Sequence, residues 1–223
     1  MLILRVLDKG FVEVKEVHGS DLTIVNAARV SFGKEVTEFT DKEVGLLSYL
    51  AKNKHSSPFR QCGMIFHIKM PIFVMRQFIR HRVGVEVNEI SGRYVEFEDA
   101  DFYTPECFRY QSTNNKQGSA GDVPSELNDS LKMAYTNSCV ESFEVYKQLL
   151  SLGVAKEMAR MSLPLSLYTE IRVFMSLEAI AHFVHLREDG HAQFEIRQYS
   201  DSLKQLTLEA FPQGFKALME HSR

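Results

Sequence analysis

The sequence predicts an α+β protein. Three observations lead there. Some segments alternate apolar and polar residues with a period of two, most cleanly 64–70. Others repeat apolar residues every three or four positions over long stretches, as in 126–152 and 190–210. The two kinds do not succeed one another as βαβ units, so a doubly wound parallel sheet is not expected.

The elements follow in order. Residues 2–17 read as two short strands turning at Asp8-Lys9-Gly10, the second carrying Phe11, Val12, Val14 and Val17. Ser20-Asp21 caps a short helix through Ala28. Thr40, with Glu43 three residues on, forms a capping box for a helix over 41–53, with Val44, Leu47 and Leu50 on one face and Leu46 beside them. In the 64–70 strand Met64, Phe66, Ile68 and Met70 point one way and Ile65, His67 and Lys69 the other. Pro71 ends that strand and suits the first turn of a helix over 71–82. The stretch 101–124 is the poorest in core residues, and 111–124 reads as a polar, mobile loop. Ser125 is expected to cap a long helix, 126–152, with Leu127, Leu131, Ala134, Phe143, Tyr146 and Leu150 inward and Gly153 stopping it. A short helix near 155–162 ends before Leu163-Pro164. Residues 167–175 read as strand, Ser176 caps a helix to 187, and a last long helix runs over 190–210 until Phe211-Pro212 breaks it.

A chain of 223 residues, 44% hydrophobic and 25% charged, has the length of one large domain or two small ones, with a core that needs no metal or disulfide staple. Net charge is −3 and the isoelectric point about 6.3, so nothing in the bulk charge favours nucleic acid or an anionic membrane. No apolar run approaches the roughly 20 residues of a membrane span. Arg5, Asp8 and Lys9 interrupt the only apolar stretch at the N-terminus, which therefore does not read as a secretory signal. Three cysteines, Cys62, Cys107 and Cys139, are odd in number and widely spaced. They read as small hydrophobes in a reducing cytoplasm, without a disulfide framework or a metal site.

The chemistry gathers in 76–94. Arg76, Arg80, Arg82, Arg93 and His81 crowd a chain with no overall positive charge. On a helix Arg76, Gln77 and Arg80 share one stripe and Ile72, Met75 and Ile79 another. Guanidinium donors beside apolar residues cost energy unless they meet anions, and their forks fit phosphate oxygens. The plain alternative is a solvated or ion-paired helix, with Glu86 and Glu89 as partners. A second basic group supports an anion site: Arg160 before Leu-Pro-Leu, and Arg187 at the end of a helix bearing His182 and His185, with His191 following.

At these residues the sequence resembles the flavin-dependent thymidylate synthases. The resemblance runs in order through AARVSF (27–32), HSSPF (55–59), PIFVMRQFIRHR (71–82), NEISGRY (88–94), ARMSLPLSLYT (159–169) and LREDGHAQFEIRQY (186–199). It implies a single domain over 1–223 with a central antiparallel sheet flanked by long helices, and a cytoplasmic homotetramer whose active sites lie at subunit interfaces. It implies reductive methylation of dUMP to dTMP, with FAD as cofactor and NADPH and 5,10-methylenetetrahydrofolate as co-substrates, and neither nucleic acid nor membrane as partner. Residue by residue, it implies dUMP contacts at Gln77, Phe78, Ile79, Arg80, Glu89, Ile90, Ser91, Gly92, Arg93 and Arg160, with Ser91 and Arg93 near the phosphate. It implies FAD contacts at Ser57, Arg80, His81, Arg82, Glu89, Ser176, His182 and His191, and a folate region at His55. Arg187 is the implied catalytic residue, set against the pyrimidine to stabilise it ionised at N3 and enrich C5 in electrons.

Three departures from the family pattern stand out. Val83-Gly84-Val85-Glu86-Val87, between Arg-His-Arg and Asn-Glu, is one residue longer than usual and lacks the usual Ser. Arg60 stands where the family has Glu, and Glu178 where it has Arg. The exchange suggests one ion pair with its charges reversed. The departures also leave open a catalytically impaired homologue that keeps flavin or nucleotide. A third reading, a single-stranded nucleic-acid binder stacking bases on Phe73, Phe78 and Tyr94, fits poorly with the net charge.

Overall fold

A computed structural model of the protein describes residues 2–98 and 101–221. The elements are β1 (Ile3–Val6), β2 (Gly10–His18), α1 (Asp21–Arg29), α2 (Asp41–Lys52), α3 (Ser57–Arg60), β3 (Gly63–Pro71), α4 (Ile72–Phe78), β4 (Val85–Glu89), β5 (Arg109–Gln111), β6 (Ser119–Asp122), α5 (Ser125–Ser151), α6 (Lys156–Ala159), β7 (Tyr168–Ser176), α7 (Leu177–Arg187), α8 (Phe194–Ala210) and α9 (Gly214–His221). Short 3₁₀ turns cover Val30–Phe32 and Arg160–Ser162.

Five strands form one sheet in the order β1-β2-β3-β7-β4, every neighbouring pair antiparallel. The α+β expectation and the central antiparallel sheet are therefore observed. Register explains the core. Met64 faces Met175, Phe66 faces Val173 and Ile68 faces Ile171 across β3 and β7, and Val12 of β2 faces Ile68. All seven are buried. Because successive strand residues point to opposite faces, this pairing makes one sheet face continuously apolar. Ile24, Leu47, Phe183, Ile196, Tyr199 and Phe215 from the helices close over it. The other face is charged: His67 bonds Glu170 at 2.7 Å and Arg172 bonds Glu16 at 2.7 Å.

Local chemistry sets several boundaries as expected. Ser20 accepts from Thr23 N at 3.3 Å at the start of α1. The Glu43 carboxylate takes the Thr40 N–H at 3.1 Å and the Thr40 hydroxyl at the start of α2. Ser176 accepts from Ala179 N at 3.3 Å and caps α7. Cys62 and Cys139 are buried and Cys107 half-buried, none in a disulfide.

Several expectations are corrected. The helix expected over 71–82 ends at Phe78, because Arg80 N and His81 N close tight i→i+3 bonds to Gln77 and Phe78 and Gly84 then turns the chain at φ 70°. Its buried face is Val74, Met75 and Phe78, while Ile79 is exposed. The residues after that turn form β4, an edge strand beside β7. The polar loop is a hairpin, β5 with β6, and Ser112 N returns to Gly118 O at 3.0 Å across its end.

In α5 the inward stripe is Asn128, Cys139, Phe143 and Tyr146, whereas Leu127, Leu131 and Ala134 are exposed. The helix is rolled this way because Asn128 accepts from Phe108 N at 2.9 Å and donates to Glu106 O at 3.2 Å, satisfying a polar group the fold covers. Pro124, not Ser125, occupies its cap position, without a side-chain bond. Finally, the helix expected from 190 starts at Phe194, since Asp189 ties His191 N at 2.7 Å into a turn, and α9 follows the Pro212 break.

Candidate active site

The basic residues fall into distinct settings. The first is a cleft of about 490 Å³ between the end of β4, the start of β7 and the 3₁₀ turn after α6. Arg76, Glu89, Ile90, Ser91, Gly92 and Arg160 line it. Its floor is held by the sheet: Ile90 N bonds Glu170 O at 2.9 Å, and Glu89 accepts the Thr169 hydroxyl at 2.6 Å. Ser91 starts a turn, with Tyr94 N on its carbonyl at 2.9 Å. Gly92 permits the close approach, because a Cβ there would lie 2.8 Å from the Phe97 ring and 3.3 Å from Arg160 Cδ. The cleft thus offers guanidinium groups and turn amides to an anion, beside one carboxylate able to accept. Arg93 is not drawn into it; its side chain reaches out to Glu157 at 3.5 Å.

Among the described residues neither Glu86 nor Glu89 pairs with an arginine, so the ion-paired form of the plain alternative is not observed, whereas Arg76, Arg80 and Arg82 are exposed, as its solvated form expects. Phe78 is fully buried against Phe183, ring centroids 4.9 Å apart. It cannot stack on a base, and its carbonyl already accepts from His81 N at 3.1 Å.

The second setting is built at the end of α7. Arg187 Nε donates to His81 Nε2 at 3.0 Å, and its guanidinium donates to the Gln77 carbonyl at 3.4 Å. His81 lies edge-on to Phe183 at 4.7 Å and near His182 at 6.0 Å. Burial, then the charges of Arg187 and His182, pull its pKa from 6.5 to about 4. The ring is therefore neutral near pH 7, and its bare nitrogen can accept from the guanidinium. Burial also lowers the Arg187 pKa from its ordinary value. The result is a cation held at a fixed angle by a neutral ring and a carbonyl. Arg80 and Arg82 are exposed on the adjoining turn, beside Ile79.

A third setting comprises two clefts that share Leu50 and His55. One, about 320 Å³, is lined by Lys54, His55, His182, His185 and Glu178. The other, about 470 Å³, is lined by Arg29, Phe32, Tyr49, His55 and Ser57. Tyr49 and His55 stack with centroids 6.1 Å apart. At the rim Arg60 forms an ion pair with Glu178, as the exchanged charges suggest. Ser176 is buried, its hydroxyl committed to the α7 cap, and His191 is exposed beside Asn115 at 3.3 Å. Gln77, Arg80 and Arg187 do not line the cleft that holds Glu89–Gly92 and Arg160.

Sequence reasoning missed Thr169, which fixes Glu89, and Glu195, a carboxylate buried beside Arg109 at 2.7 Å. Glu195 could have been noticed as an acid directly preceding Ile196 on the apolar face of α8.

A profile of the family described as thymidylate synthase complementing protein matches residues 14–213. The flavin-dependent thymidylate synthase of Thermus thermophilus is 44% identical to this chain over 220 residues, which cover 99% of this chain and 79% of that protein. The flavin-dependent thymidylate synthase of Kosmotoga olearia is 40% identical over 216 residues, 97% of this chain and 93% of its own. Among solved structures, the UMP/dUMP methylase PolB from Streptomyces cacaoi, bound with 5-Br dUMP, is similar at a TM-score of 0.85 and 29% identity, over 97% of each chain.

Proposed function

The chain belongs to the flavin-dependent thymidylate synthases, and from that membership we propose how its side chains divide the work. It is a flavin-dependent enzyme that methylates dUMP to dTMP. In this reading 5,10-methylenetetrahydrofolate supplies the carbon and NADPH the reducing equivalents, so that dTMP, tetrahydrofolate and NADP⁺ leave. The residues present fit FAD: the paired clefts around His55 combine stacked rings with Lys54 and histidine donors, the chemistry a flavin dinucleotide diphosphate requires. Bound FAD supplies the hydride relay between NADPH and the transferred carbon. Ser57, His182, His81, Arg80, Arg82, Glu89 and His191 are assigned to hold it and His55 to face the folate, while buried Ser176, its hydroxyl given to the α7 cap, is left out.

Glu89, Ile90, Ser91, Gly92 and Arg160 hold the nucleotide, Ser91 at its phosphate, and Arg93 joins Ser91 there by leaving its pair with Glu157 outside the cleft. Gln77, Ile79 and Arg80 flank it, with buried Phe78 holding their turn against Phe183. Arg187 faces the uracil. A fixed guanidinium favours the ring deprotonated at N3 and so raises electron density at C5, where the new carbon bond forms as the C5 proton leaves. His81 and the Gln77 carbonyl keep the guanidinium from turning. No cysteine nucleophile is required. Because Gln77, Arg80 and Arg187 stand apart from the Arg160 cleft, we assign one site to several protomers of a homotetramer. Cytoplasmic location agrees with three unpaired cysteines. No helix among the described residues is long and apolar enough to cross a membrane.

The observation that carries the mechanism is the Arg187–His81–Gln77 cluster. Purified enzyme given FAD, NADPH, methylenetetrahydrofolate and C5-tritiated dUMP should release tritium and form dTMP. Arg187→Ala should reduce release to near background while the protein stays yellow; full release from that variant would remove Arg187 from the chemistry.

A further inference from the structure

Gln77 is tied to a buried carboxylate through one intermediate side chain. Glu195, in the first turn of α8, is only 3% exposed. Its Oε1 accepts from the Arg109 guanidinium at 2.7 Å and from the Tyr103 hydroxyl at 3.3 Å. Its Oε2 accepts from Gln193 Nε2 at 2.8 Å. Gln193 Oε1 in turn accepts from Gln77 Nε2 at 2.6 Å.

The polarity of this relay has a single source. An ionised carboxylate only accepts, whereas an amide offers donors at one end and an acceptor at the other. Gln193 must therefore show its NH₂ to Glu195 and its oxygen to Gln77. Gln77 must then donate, which leaves its own Oε1 and one remaining N–H for a ligand. An isolated glutamine amide has little reason to choose between its two orientations. Here the charge of Glu195 chooses.

We propose that Glu195, acting through Gln193, is a positioning residue that orients the Gln77 amide toward the nucleotide. This rests on the assignment of Gln77 to the dUMP site. Arg109 belongs to β5, so the 109–122 hairpin helps hold the carboxylate in place, and Asn115 at its far end reaches His191.

A bare structural ion pair between Arg109 and Glu195 would leave dUMP binding untouched. Four variants, loaded with FAD, distinguish the two roles. In Glu195→Gln, Arg109 and Tyr103 still demand an acceptor, so the introduced amide turns its NH₂ to Gln193 and the relay inverts. In Gln193→Leu the relay is cut at an exposed residue, without disturbing the buried pair. Both should weaken dUMP about tenfold by calorimetry, the scale of one hydrogen bond to a ligand. Both should raise the KM for dUMP correspondingly while kcat changes less than about twofold. The exchange Gln193→Glu with Glu195→Gln moves the carboxylate one place along the relay and still obliges Gln77 to donate, so dUMP affinity should recover.

Gln77→Ala serves as reference. If it weakens dUMP while Glu195→Gln and Gln193→Leu bind as wild type, the relay is overturned. Failure of the exchange to restore affinity also overturns it, in favour of the structural pair. If Gln77→Ala itself binds dUMP normally, the assignment of Gln77 fails and the relay with it, while turnover of dUMP by the wild type would leave the enzyme reading standing. Should Glu195→Gln not fold, Gln193→Leu alone decides.

Discussion

His81 shows how one side chain is given its role by its surroundings. Burial against Phe183 and the nearby positive charge of Arg187 keep it unprotonated, and an unprotonated ring is the acceptor that Arg187 Nε needs. The same coupling makes stability depend on pH. With a folded pKa of about 4 against 6.5, the unfolded chain takes up the proton first as pH falls. The stabilisation associated with neutral His81 is complete above pH 6.5 and is lost as pH drops toward 4. Thermal unfolding of the flavin-free protein across that window should show the melting temperature of His81→Gln falling less steeply than that of wild type. Equal slopes would mean that the ring is not held neutral. The Arg60–Glu178 pair marks the opposite limit. Its guanidinium is half exposed, so its stabilising effect is small, and its interest lies in placing the base on α3 and the acid on α7.

Elements were legible where their ends are decided by neighbours in sequence. Ser20, Thr40 and Ser176 mark helix starts because a capping side chain reaches only the next few amides. The β5–β6 hairpin was not legible, since all four residues of β6 are exposed and no apolar period betrays it. The facing side of α5 was not legible either, because it depends on where Glu106 and Phe108 lie in space. β4 is a different case: Val85 and Val87 do alternate, but the turn before them depends on Gly84. Gly84 has φ 70°, and a Cβ there would meet Ser176 Oγ at 2.5 Å and Ala179 Cβ at 3.3 Å. Gly84→Ala should therefore cost about 1–3 kcal/mol in urea unfolding, from backbone strain plus crowding of the α7 cap. Gly153, at φ 78° with open space around its missing Cβ, should cost only the backbone part, about 1 kcal/mol. Equal losses would refute the crowding.

At the scale of the molecule, the sheet and its covering helices bring distant segments to one neighbourhood but leave the Arg160 cleft apart from the Arg187 cluster. In the proposed assembly neighbouring copies bring an Arg160 cleft and an Arg187 cluster into one site, so sedimentation equilibrium at micromolar concentration should report the mass of four chains. A purely monomeric protein with full turnover would contradict the shared site. Strand alternation, caps, the basic cluster in 76–94 and the family likeness depend on residue type and short spacings, and the sequence by itself determined them. Tertiary structure alone decided that Arg187 meets His81 across 106 positions, that Arg93 turns away from the cleft while Arg160 enters it, and that Glu195 reaches Gln77 through Gln193. The physical reason is range: a hydrogen-bond partner or an inward face belongs to whatever the fold carries alongside, and spacing along the chain carries no record of that neighbour.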